Sequence, residues 1–351
     1  MRKSAPLAPP SPTGRPDDSA RALLDAVRDL GPLLADPSDS SPAPAIVGRS
    51  PPLLCVLEQA RRVAASKAAV LIQGESGTGK ELVARLIHAR SPRRAGPFVR
   101  VNCAALAESL VESELFGHER GAFTGAEGCR LGRFELAHGG TLLLDEVGEI
   151  AVRLQAKLLR ALEEEEFERV GGVCTLRSDV RVVATTNRDL EREIGRGGFR
   201  ADLYYRLNGV QLWLPPLRDR REDIPALAAH FFERFRHEAA APLAGVSEEA
   251  LAELAARDWP GNVRQLRNAV HRACLLAAGP LVRPEDLPPR EAATPPAESY
   301  RGLTLEEVER RLILATLREL GGNKTAAAER LGVTPRTLLN KLNRYRAEGA
   351  A

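Results

Sequence analysis

The feature that most limits what this chain can fold into is a glycine-rich stretch between two different hydrophobic patterns. Gly74-Glu75-Ser76-Gly77-Thr78-Gly79-Lys80 follows the apolar run Ala69–Gln73 and precedes a helical pattern over Glu81–Ala89. A strand, a glycine turn and a helix in this order let backbone N–H groups converge on phosphate oxygens, with Lys80 as the cation. The motif alone would arise by chance in roughly one such sequence in twenty-five, so the flanking patterns carry the prediction of a phosphate loop.

Further apolar runs alternate with helical patterns after this stretch. Leu154, Leu158, Leu159 and Leu162, for example, repeat at the spacing of a helix. Short apolar runs separated by helices predict a parallel sheet with crossover helices, which is an α/β fold. The runs that we predict as its strands are Ala69–Gln73, Phe98–Val101, Thr141–Asp145, Val180–Ala184 and Val210–Leu214.

Changes in composition divide the chain into five segments. The first contains nine prolines and is predicted to be flexible, with one short amphipathic helix at Asp18–Leu30. The α/β segment is followed by an all-helical segment, a proline-containing linker without periodicity and a small C-terminal unit. The predicted boundaries are 1–45, 46–220, 221–279, 280–302 and 303–351.

Overall composition narrows the class of protein. The net charge is only +3, so any nucleic-acid surface has to be local. No apolar run approaches the roughly 18 residues of a membrane span, and no apolar signal core follows the start, which predicts a cytoplasmic protein with no membrane partner. The cysteines have no C-x-x-C spacing and are predicted to be reduced, packed thiols rather than a zinc site: Cys55, Cys103, Cys129, Cys174 and Cys274.

Acidic residues end one of the predicted strands. Asp145 is placed to reach a metal ion, and Glu146 follows it where it can polarise an attacking water molecule. Thr185-Thr186-Asn187 end another strand and are placed to sense the terminal phosphate. Arg200 and Arg206 are candidate arginine fingers for a neighbouring subunit, although each arginine alone is more often a solvated surface charge.

A second glycine-rich segment lies between these two motifs. Gly121-Ala122-Phe123-Thr124-Gly125-Ala126 begins 41 residues after Lys80 and ends 19 residues before Asp145. Glycine makes a poor helix or strand because its conformational freedom is large, so the segment is predicted to be a mobile loop. Such a loop presents Phe123 and Thr124 to another molecule.

Residues 303–351 form a small helical unit with local positive charge. Counted over residues 301–351, ten basic and six acidic side chains give a net charge of +4. Thr304 and Glu307 form a capping box, and Gly332 separates the helical pattern Lys324–Leu331 from a third helix that Thr334-Pro335 opens. This spacing fits a helix-turn-helix, whose phosphate contacts need positive charge, and it also fits a three-helix oligomerisation module. The residues predicted on the exposed side of the third helix are Thr334, Arg336, Thr337, Asn340 and Lys341.

Together these motifs closely resemble those of the bacterial enhancer-binding proteins, the NtrC-like AAA+ activators of sigma-54 RNA polymerase. The likeness runs from Ile46 to Leu276, and the C-terminal unit resembles their Fis-type DNA-binding domain. Gly121–Ala126 is identical to the family's GAFTGA loop, and Gly74–Glu81 reads as its phosphate loop. Glu81 stands where Ser or Thr usually helps to hold Mg²⁺, but glutamate is normal here for this family. The implied fold is an AAA+ P-loop NTPase with a helical lid, followed by a small all-α helix-turn-helix domain.

The resemblance also implies roles for individual residues. Asn102 matches the residue that holds the catalytic glutamate away from water, Arg200 and Arg206 match the inter-subunit arginines, and Arg264 matches the lid arginine that contacts nucleotide. The implied catalytic set is Glu146, Asp145, Lys80, Asn102, Arg200 and Arg206, with Mg²⁺ on Asp145. The implied ATP-binding set is Val47, Gly74, Glu75, Ser76, Gly77, Thr78, Gly79, Lys80, Glu81, Ala137, His138, Gly139, Gly140, Thr141, Leu142, Leu143, Leu144, Asp145, Glu146, Asn187 and Arg264. The implied sigma-54 contacts are Gly121, Ala122, Phe123, Thr124, Gly125 and Ala126. The implied DNA contacts are Lys324, Thr325, Thr334, Arg336, Thr337, Asn340 and Lys341.

By the same resemblance, ATP with Mg²⁺ is hydrolysed between subunits of a homo-oligomer that ranges from a dimer to a hexameric ring. The implied partners are the sigma-54 RNA polymerase holoenzyme, whose closed complex the loop remodels, and double-stranded DNA carrying an enhancer-like inverted repeat. Asn340 stands where relatives often carry a basic residue, and asparagine favours adenine edges. Two other classes are weighed against this one. A DNA-binding regulator whose AAA+ domain only oligomerises would not need the intact Lys80 and Glu146, and a generic AAA+ remodelling ATPase would not need the helix-turn-helix or this loop.

Overall fold

The computed structural model describes residues 46–104, 108–123, 126, 128–290, 304–319 and 323–347. The chain forms two units, Met1–Pro288 and Pro289–Ala351. The helix predicted at Asp18–Leu30 lies outside the described residues. Within those residues, no helix is long and apolar enough to cross a membrane.

The elements follow one another along the chain as short strands and helices. The strands are Val70–Gln73 (β1), Phe98–Asn102 (β2), Gly117–His118 (β3), Arg130–Leu131 (β4), Thr141–Asp145 (β5), Glu166–Glu168 (β6), Thr175–Arg177 (β7), Arg181–Thr186 (β8), Val210–Trp213 (β9), Gly245–Val246 (β10) and Leu281–Val282 (β11). The helices are Pro51–Ala64 (α1), Lys80–Ala89 (α2), Glu108–Phe116 (α3), Arg133–Leu136 (α4), Val152–Glu163 (α5), Leu190–Gly195 (α6), Ala201–Leu207 (α7), Ile224–Phe235 (α8), Glu248–Ala255 (α9), Asn262–Leu276 (α10), Leu305–Glu319 (α11), Lys324–Arg330 (α12) and Pro335–Ala347 (α13).

Five of the strands form one parallel sheet in the order β2-β5-β8-β1-β9. Each of them falls on one of the five apolar runs, so the predicted α/β fold is confirmed. In the sheet, Gln73 lies opposite Thr186, and Asn102 lies opposite Asp145. Because the strands are parallel, β1, β5 and β8 end at the same edge, which we call the carboxyl edge. The edge at which they begin is the amino edge.

The three inner strands of the sheet, β5, β8 and β1, are buried on both faces, which explains why they read as nearly continuous apolar runs. Leu142 and Leu144 point into one core layer, which helices α3, α5 and α7 cover. Leu143 points into the other layer, which α1 and α2 cover. All three leucines are 0% exposed, so β5 is fixed from both sides and the position of its last residue is set by the core.

Two antiparallel hairpins project from the sheet, one made of β3 and β4 and the other of β6 and β7. They rest on an aromatic cluster in which Phe116 and Phe134 are stacked at 5.6 Å. Phe167 of β6 lies 6.0 Å from the Phe116 ring and 5.6 Å from the Phe134 ring. Backbone pairing of His118 with Val170 joins the two hairpins directly. The segment between β3 and β4 therefore rises from a base that is packed and hydrogen-bonded.

The lid consists of residues 217–223 followed by α8, α9 and α10, around a second core that includes Leu217, Phe232, Leu266 and Ala273, all 0% exposed. The sequence predicts an all-helical segment that ends at residue 279 and a linker from residue 280. In the structure, β11 pairs with β10, and Leu287 packs into the lid core. Residues 281–287 therefore belong to the lid. Two-residue strands are too short to give a periodic signal.

The C-terminal unit contains three helices, α11, α12 and α13, around a small core of Ile313, Ala327, Ala328, Leu338 and Tyr345. The predicted capping box is confirmed, because Thr304 N donates to Glu307 Oε2 at 2.7 Å and Glu307 N donates to Thr304 Oγ1 at 3.3 Å. Gly332 adopts a left-handed φ of 67° between α12 and α13. This backbone conformation suits glycine and makes the turn between the two helices.

Candidate nucleotide site and DNA-binding helix

The phosphate loop links the end of β1 to the start of α2 at the carboxyl edge. Gly77 and Gly79 have left-handed φ values of 79° and 105°, which glycine adopts without strain. Lys80, at 6% exposure, donates hydrogen bonds to the carbonyls of Gly74 (2.8 Å) and Glu75 (3.2 Å). Burial lowers the pKa of Lys80, and the carboxylate of Glu146 opposes that shift. The loop thus closes around a buried cation at the head of a helix, which is an anion-binding arrangement.

Asp145 ends β5 and is held by two neighbours. Its carboxylate accepts a hydrogen bond of 2.6 Å from Thr185 Oγ1 and one of 2.6 Å from Arg100 Nη2. Arg100 also pairs with Glu81 at 2.6 Å, so it links the first turn of α2 to the end of β5. Arg100 could not be recognised as a site residue from the sequence, because a single arginine in a strand is typical of a surface charge.

Glu146, the next residue, has an unusual backbone. Its φ of 56° is left-handed, a conformation that costs a non-glycine residue free energy and clusters at functional sites. The backbone N–H of Glu146 donates to Thr185 Oγ1 at 3.2 Å, and its carboxylate accepts from Asn187 N at 3.0 Å. The carboxylate also lies 3.5 Å from Lys80 Nζ. The ends of β1, β5 and β8 therefore bring Lys80, Asp145, Glu146 and Asn187 together, as the strand pattern predicts.

The residues present fit a magnesium ion that is held partly by phosphate. Mg²⁺ in phosphate sites uses one or two carboxylates together with phosphate oxygens and water. Asp145 and Glu146 supply carboxylate oxygens beside the phosphate loop, and Glu81 supplies another on the first turn of α2. Over the described part of the chain, no three His, Cys, Asp or Glu side chains form a closed metal cage. An ion at this site would complete its coordination with phosphate oxygens and water.

Asn102 lies at the end of β2, directly opposite Asp145. Its Oδ1 accepts a hydrogen bond from Ala104 N at 2.9 Å, while the Glu146 carboxylate faces Asn187 and Lys80. The structure therefore brings Asn102 to the carboxyl edge but shows no hydrogen bond between Asn102 and Glu146. The role in restraining Glu146 that the resemblance implies stays a prediction.

The lid reaches the phosphate loop from the other side. Arg264 Nη1 donates to Ser76 Oγ at 3.1 Å, so this lid arginine does lie at the loop. Val47 is half-buried and packs against the lid core. Two further lid residues contact the loop backbone and were missed by the sequence analysis: Asn262, at 0% exposure, donates to Ser76 O, and Arg220, at 4% exposure, donates to Thr78 O.

The first half of the predicted segment Ala137–Glu146 lies far from the loop. Thr141 begins β5 at the amino edge, where its hydroxyl lies 2.9 Å from His88 Nδ1. Four residues of strand separate Thr141 from Asp145, which is about 13 Å at 3.3 Å per residue. The fully buried side chains Leu142–Leu144 hold Asp145 in place and face the core. The structure therefore does not bring Ala137–Thr141 to the phosphate loop of the same chain, and a nucleotide contact from them stays a prediction.

The two candidate arginine fingers lie on α7, Arg200 as its N-cap residue and Arg206 in its last turn. Arg200 pairs with Asp202 at 2.7 Å, and Arg206 donates to the carbonyl of Leu162 at 2.6 Å. Both side chains are exposed, and neither contacts the phosphate loop of its own chain. An action on a neighbouring subunit needs exposed arginines of this kind.

The second glycine-rich segment caps the β3–β4 hairpin. Gly121 N donates to Ala126 O at 2.9 Å and closes the loop, and Ala126 is buried. The Phe123 ring is 41% exposed and packs edge-on against His118, with ring centroids 5.0 Å apart. Thr124 and Gly125 lie outside the described residues. The loop is thus a closed turn that carries an exposed aromatic ring.

Four of the predicted DNA contacts lie in helix α13 or directly before it. Thr334, Arg336, Thr337 and Asn340 are exposed, and Lys324 is exposed on α12. Lys341 differs from expectation, because it is half-buried and pairs with Glu309 of α11 at 2.7 Å. An ion pair across the unit supports the packing of α13, which sequence spacing alone does not reveal. The side chain of Thr325 lies outside the described ones.

A parallel sheet with a phosphate loop after β1, two acidic residues at the end of β5 and a helical lid defines a P-loop ATPase of the AAA+ class, here followed by a helix-turn-helix. Family comparisons agree: residues 46–213 match the sigma-54 interaction domain, 218–302 the AAA+ ATPase lid domain and 304–345 the Fis family of bacterial regulatory proteins. The chain belongs to the sigma-54-dependent transcriptional activators.

Several curated relatives and solved structures are similar over most of the chain. The regulatory protein AtoC of Escherichia coli K12 is 50% identical over 310 residues, which cover 86% of this chain and 67% of AtoC. The transcriptional regulatory protein ZraR of Salmonella typhimurium is 49% identical over 340 residues, 96% of this chain and 77% of that protein. The crystal structure of NtrX from Brucella abortus has a TM-score of 0.66 and 39% identity, and the match covers 85% of this chain and 68% of NtrX.

Proposed function

We propose that this protein binds DNA near promoters and uses ATP hydrolysis to remodel the closed complex of sigma-54 RNA polymerase. The observation that carries the proposal is the meeting of Lys80, Asp145 and Glu146 at the carboxyl edge, in a chain that also carries the Gly121–Ala126 loop. The first feature is the machinery of a phosphate-cleaving enzyme. The second is an exposed turn on a rigid hairpin, which suits contact with another protein.

Each residue at the site has a definite chemical task in this proposal. Lys80 neutralises the outer phosphates, and Asp145 holds Mg²⁺, which when bound would neutralise charge that develops on the phosphate oxygens. Glu146 accepts a proton from the attacking water, and the hydrogen bond from Asn187 N orients its carboxylate. Crystal structures of the similar NtrX from Brucella abortus contain ATP or ADP, which supports nucleotide binding here.

Hydrolysis between subunits would link this site to the loop. Arg200 and Arg206 are exposed and contact Asp202 and the carbonyl of Leu162, so in a ring a neighbouring subunit would receive them. An arginine supplied in trans makes turnover in one subunit depend on the position of the next. The ring, commonly a hexamer in this family, would thereby move the Phe123-bearing loop against sigma-54.

The C-terminal unit would hold the ring at its target. Arg336, Thr337 and Asn340 share an exposed stretch of α13, the helix that would enter the major groove of double-stranded DNA. Fis-type units bind as dimers, so the site would be an inverted repeat.

Two single substitutions test the proposal because they separate hydrolysis from its use. Glu146→Ala should bind ATP and lose turnover, while Thr124→Ala should keep ATPase activity and lose the formation of open complexes on a sigma-54 promoter. Thr337→Ala, on the DNA helix, serves as the control and should leave both ATP hydrolysis and loop contact intact when the promoter lacks an upstream site. Hydrolysis by Glu146→Ala at the wild-type rate, or normal open-complex formation by Thr124→Ala, would overturn the proposed roles.

A further inference from the structure

Lid residues hold the outer side of the phosphate loop through its backbone carbonyls. Asn262 Nδ2 donates to Ser76 O at 3.0 Å, and Arg220 Nη2 donates to Thr78 O at 2.7 Å. Both carbonyls immediately precede a glycine of the loop, Gly77 or Gly79. In a trans peptide the C=O and the next N–H point in opposite directions. Fixing the two carbonyls toward the lid therefore turns the N–H groups of Gly77 and Gly79 away from it, toward the side on which nucleotide phosphates would bind.

The packing around Gly77 adds a steric constraint to these hydrogen bonds. A Cβ at Gly77 would lie 2.4 Å from the carbonyl oxygen of Gly261, the residue before Asn262. The phosphate loop and the lid backbone are thus in direct contact at this point. The left-handed φ of Gly77 and this close approach both require glycine. A shift of the lid at residues 261–262 would act directly on the Gly77 peptide.

Asn262 is itself held in place from three directions. Its Oδ1 accepts a hydrogen bond from Leu217 N at 2.7 Å, and its Nδ2 also donates to Glu75 Oε2 at 3.1 Å. Glu75 in turn is clamped by Arg218 through bonds of 2.6 and 2.9 Å. Asn262 has a left-handed φ of 50°, a strained conformation for a non-glycine residue. Such strain persists where surrounding contacts enforce it. Here the hydrogen bonds to Leu217, Glu75 and Ser76 hold Asn262 in this conformation against the phosphate loop.

Arg220 is an unusual donor because it is a buried cation. At 4% exposure its pKa is lowered by burial, which the carboxylate of Asp223 partly offsets. Its positive charge lies behind the peptide that links Thr78 to Gly79, close to the start of α2. A cation placed there polarises the Thr78 carbonyl and adds to the positive potential at the helix N-terminus, where phosphate binds.

We propose that Asn262 and Arg220 are positioning residues for phosphate binding: by fixing the carbonyls of Ser76 and Thr78, the lid sets how strongly the loop holds nucleotide phosphates. This inference rests on the proposed function, in which the loop binds ATP. The lid would then affect nucleotide binding in two ways, through Arg264 and through the carbonyls on the side of the loop that faces away from the phosphates. A movement of the lid changes the direction of two phosphate-binding N–H groups.

The test compares ligands with and without phosphates on the full-length protein. Asn262→Gly removes the amide while relieving the backbone strain, so the variant should fold. We expect its Kd for ADP, measured by titration calorimetry, to rise about tenfold to a hundredfold, the equivalent of one or two hydrogen bonds to the loop. Adenosine, which has no phosphates, should bind the variant and the wild type alike. Arg220→Ala should show the same phosphate-specific loss, and Arg220→Lys should recover part of it.

The control variant is Asn268→Gly, at an exposed position on the same helix α10. It also places a glycine in α10, where glycine destabilises the helix rather than relieving strain, and it leaves the loop contacts intact, so its Kd for ADP should stay at the wild-type value. The inference is overturned if Asn262→Gly binds ADP as the wild type does, or if it loses adenosine and ADP affinity equally. A wild-type protein that fails to bind ADP at all would instead defeat the proposed function.

Discussion

Asp223 offers the sharpest prediction about how the ATPase unit is held together. This carboxylate is 0% exposed and accepts three hydrogen bonds: from Arg49 N at 2.7 Å, from Ser50 N at 2.8 Å and from Ser50 Oγ at 2.7 Å. It thereby anchors the segment that enters the ATPase unit, next to Val47, onto the start of the lid. Asp223 also supplies the nearby negative charge for the buried Arg220.

Replacing Asp223 with alanine should destabilise the unit by about 2–4 kcal/mol. Each of the two backbone N–H groups left without an acceptor costs about 1–3 kcal/mol, and release of the carboxylate from its buried position offsets part of this loss. For a unit of this size, each kcal/mol lowers Tm by about 2–4 °C, so the expected decrease is about 5–15 °C. Asp223→Asn should cost about half as much, because its amide oxygen can still accept from one or both N–H groups.

Tryptophan fluorescence gives a direct assay of this prediction. The chain has two tryptophans, Trp213 in β9 and Trp259 in the lid, so the signal reports on the ATPase unit alone. Trp259 is 3% exposed and its indole N–H donates to Leu254 O, so its emission should shift when the lid unfolds. Thermal unfolding of the wild type, Asp223→Asn and Asp223→Ala should give that order of decreasing Tm. An unchanged Tm in Asp223→Ala would refute the reasoning that these bonds anchor the entering segment.

Three further predictions concern the thiols, the phosphate loop and the DNA helix. Burial raises the pKa of Cys103 to about 12 and that of Cys274 to about 11. Iodoacetamide at pH 8 should therefore label only the three exposed cysteines of the native protein, which are Cys55, Cys129 and Cys174. After denaturation, mass spectrometry should find all five cysteines labelled. Lys80→Ala should reduce ATP turnover below detection and weaken ADP binding at least about tenfold in calorimetry, because the loop then lacks its buried cation; near-normal affinity would contradict that role. Arg336→Ala should lower the salt dependence of DNA binding by about one unit of log K against log salt in fluorescence anisotropy, whereas Arg311→Ala on α11 should leave the slope as it is.

Much of the fold could be predicted because its signals are local. The three inner strands, β5, β8 and β1, are buried on both faces, so each reads as a nearly unbroken apolar run. The phosphate loop is also a local feature, since its glycines, its lysine and its flanking elements all lie within 25 residues. Because parallel strands end at one edge of the sheet, the strand pattern also predicts that Asp145 and Glu146 lie at the same edge as Lys80.

The hydrogen bonds between the lid and the phosphate loop could not be predicted in this way. Asn262 and Glu75 touch although they are 187 residues apart, and Arg220 and Thr78 touch across 142 residues. An isolated asparagine or arginine carries no periodic signal, and its partner depends on how the lid folds back. The Ala137–Glu146 segment shows a further limit, because a motif read as a continuous string does not reveal that strand β5 separates its ends.

The most direct test of the central claim is open-complex formation on a promoter that depends on sigma-54. We expect that this protein, with ATP and Mg²⁺, converts the closed complex into a heparin-resistant open complex. ADP or a non-hydrolysable ATP analogue should yield no open complex. A parallel promoter read by the major sigma factor should show no response. The proposed function would be contradicted if open complexes form equally well without hydrolysis. It would also be contradicted if ATP is hydrolysed but no open complex forms.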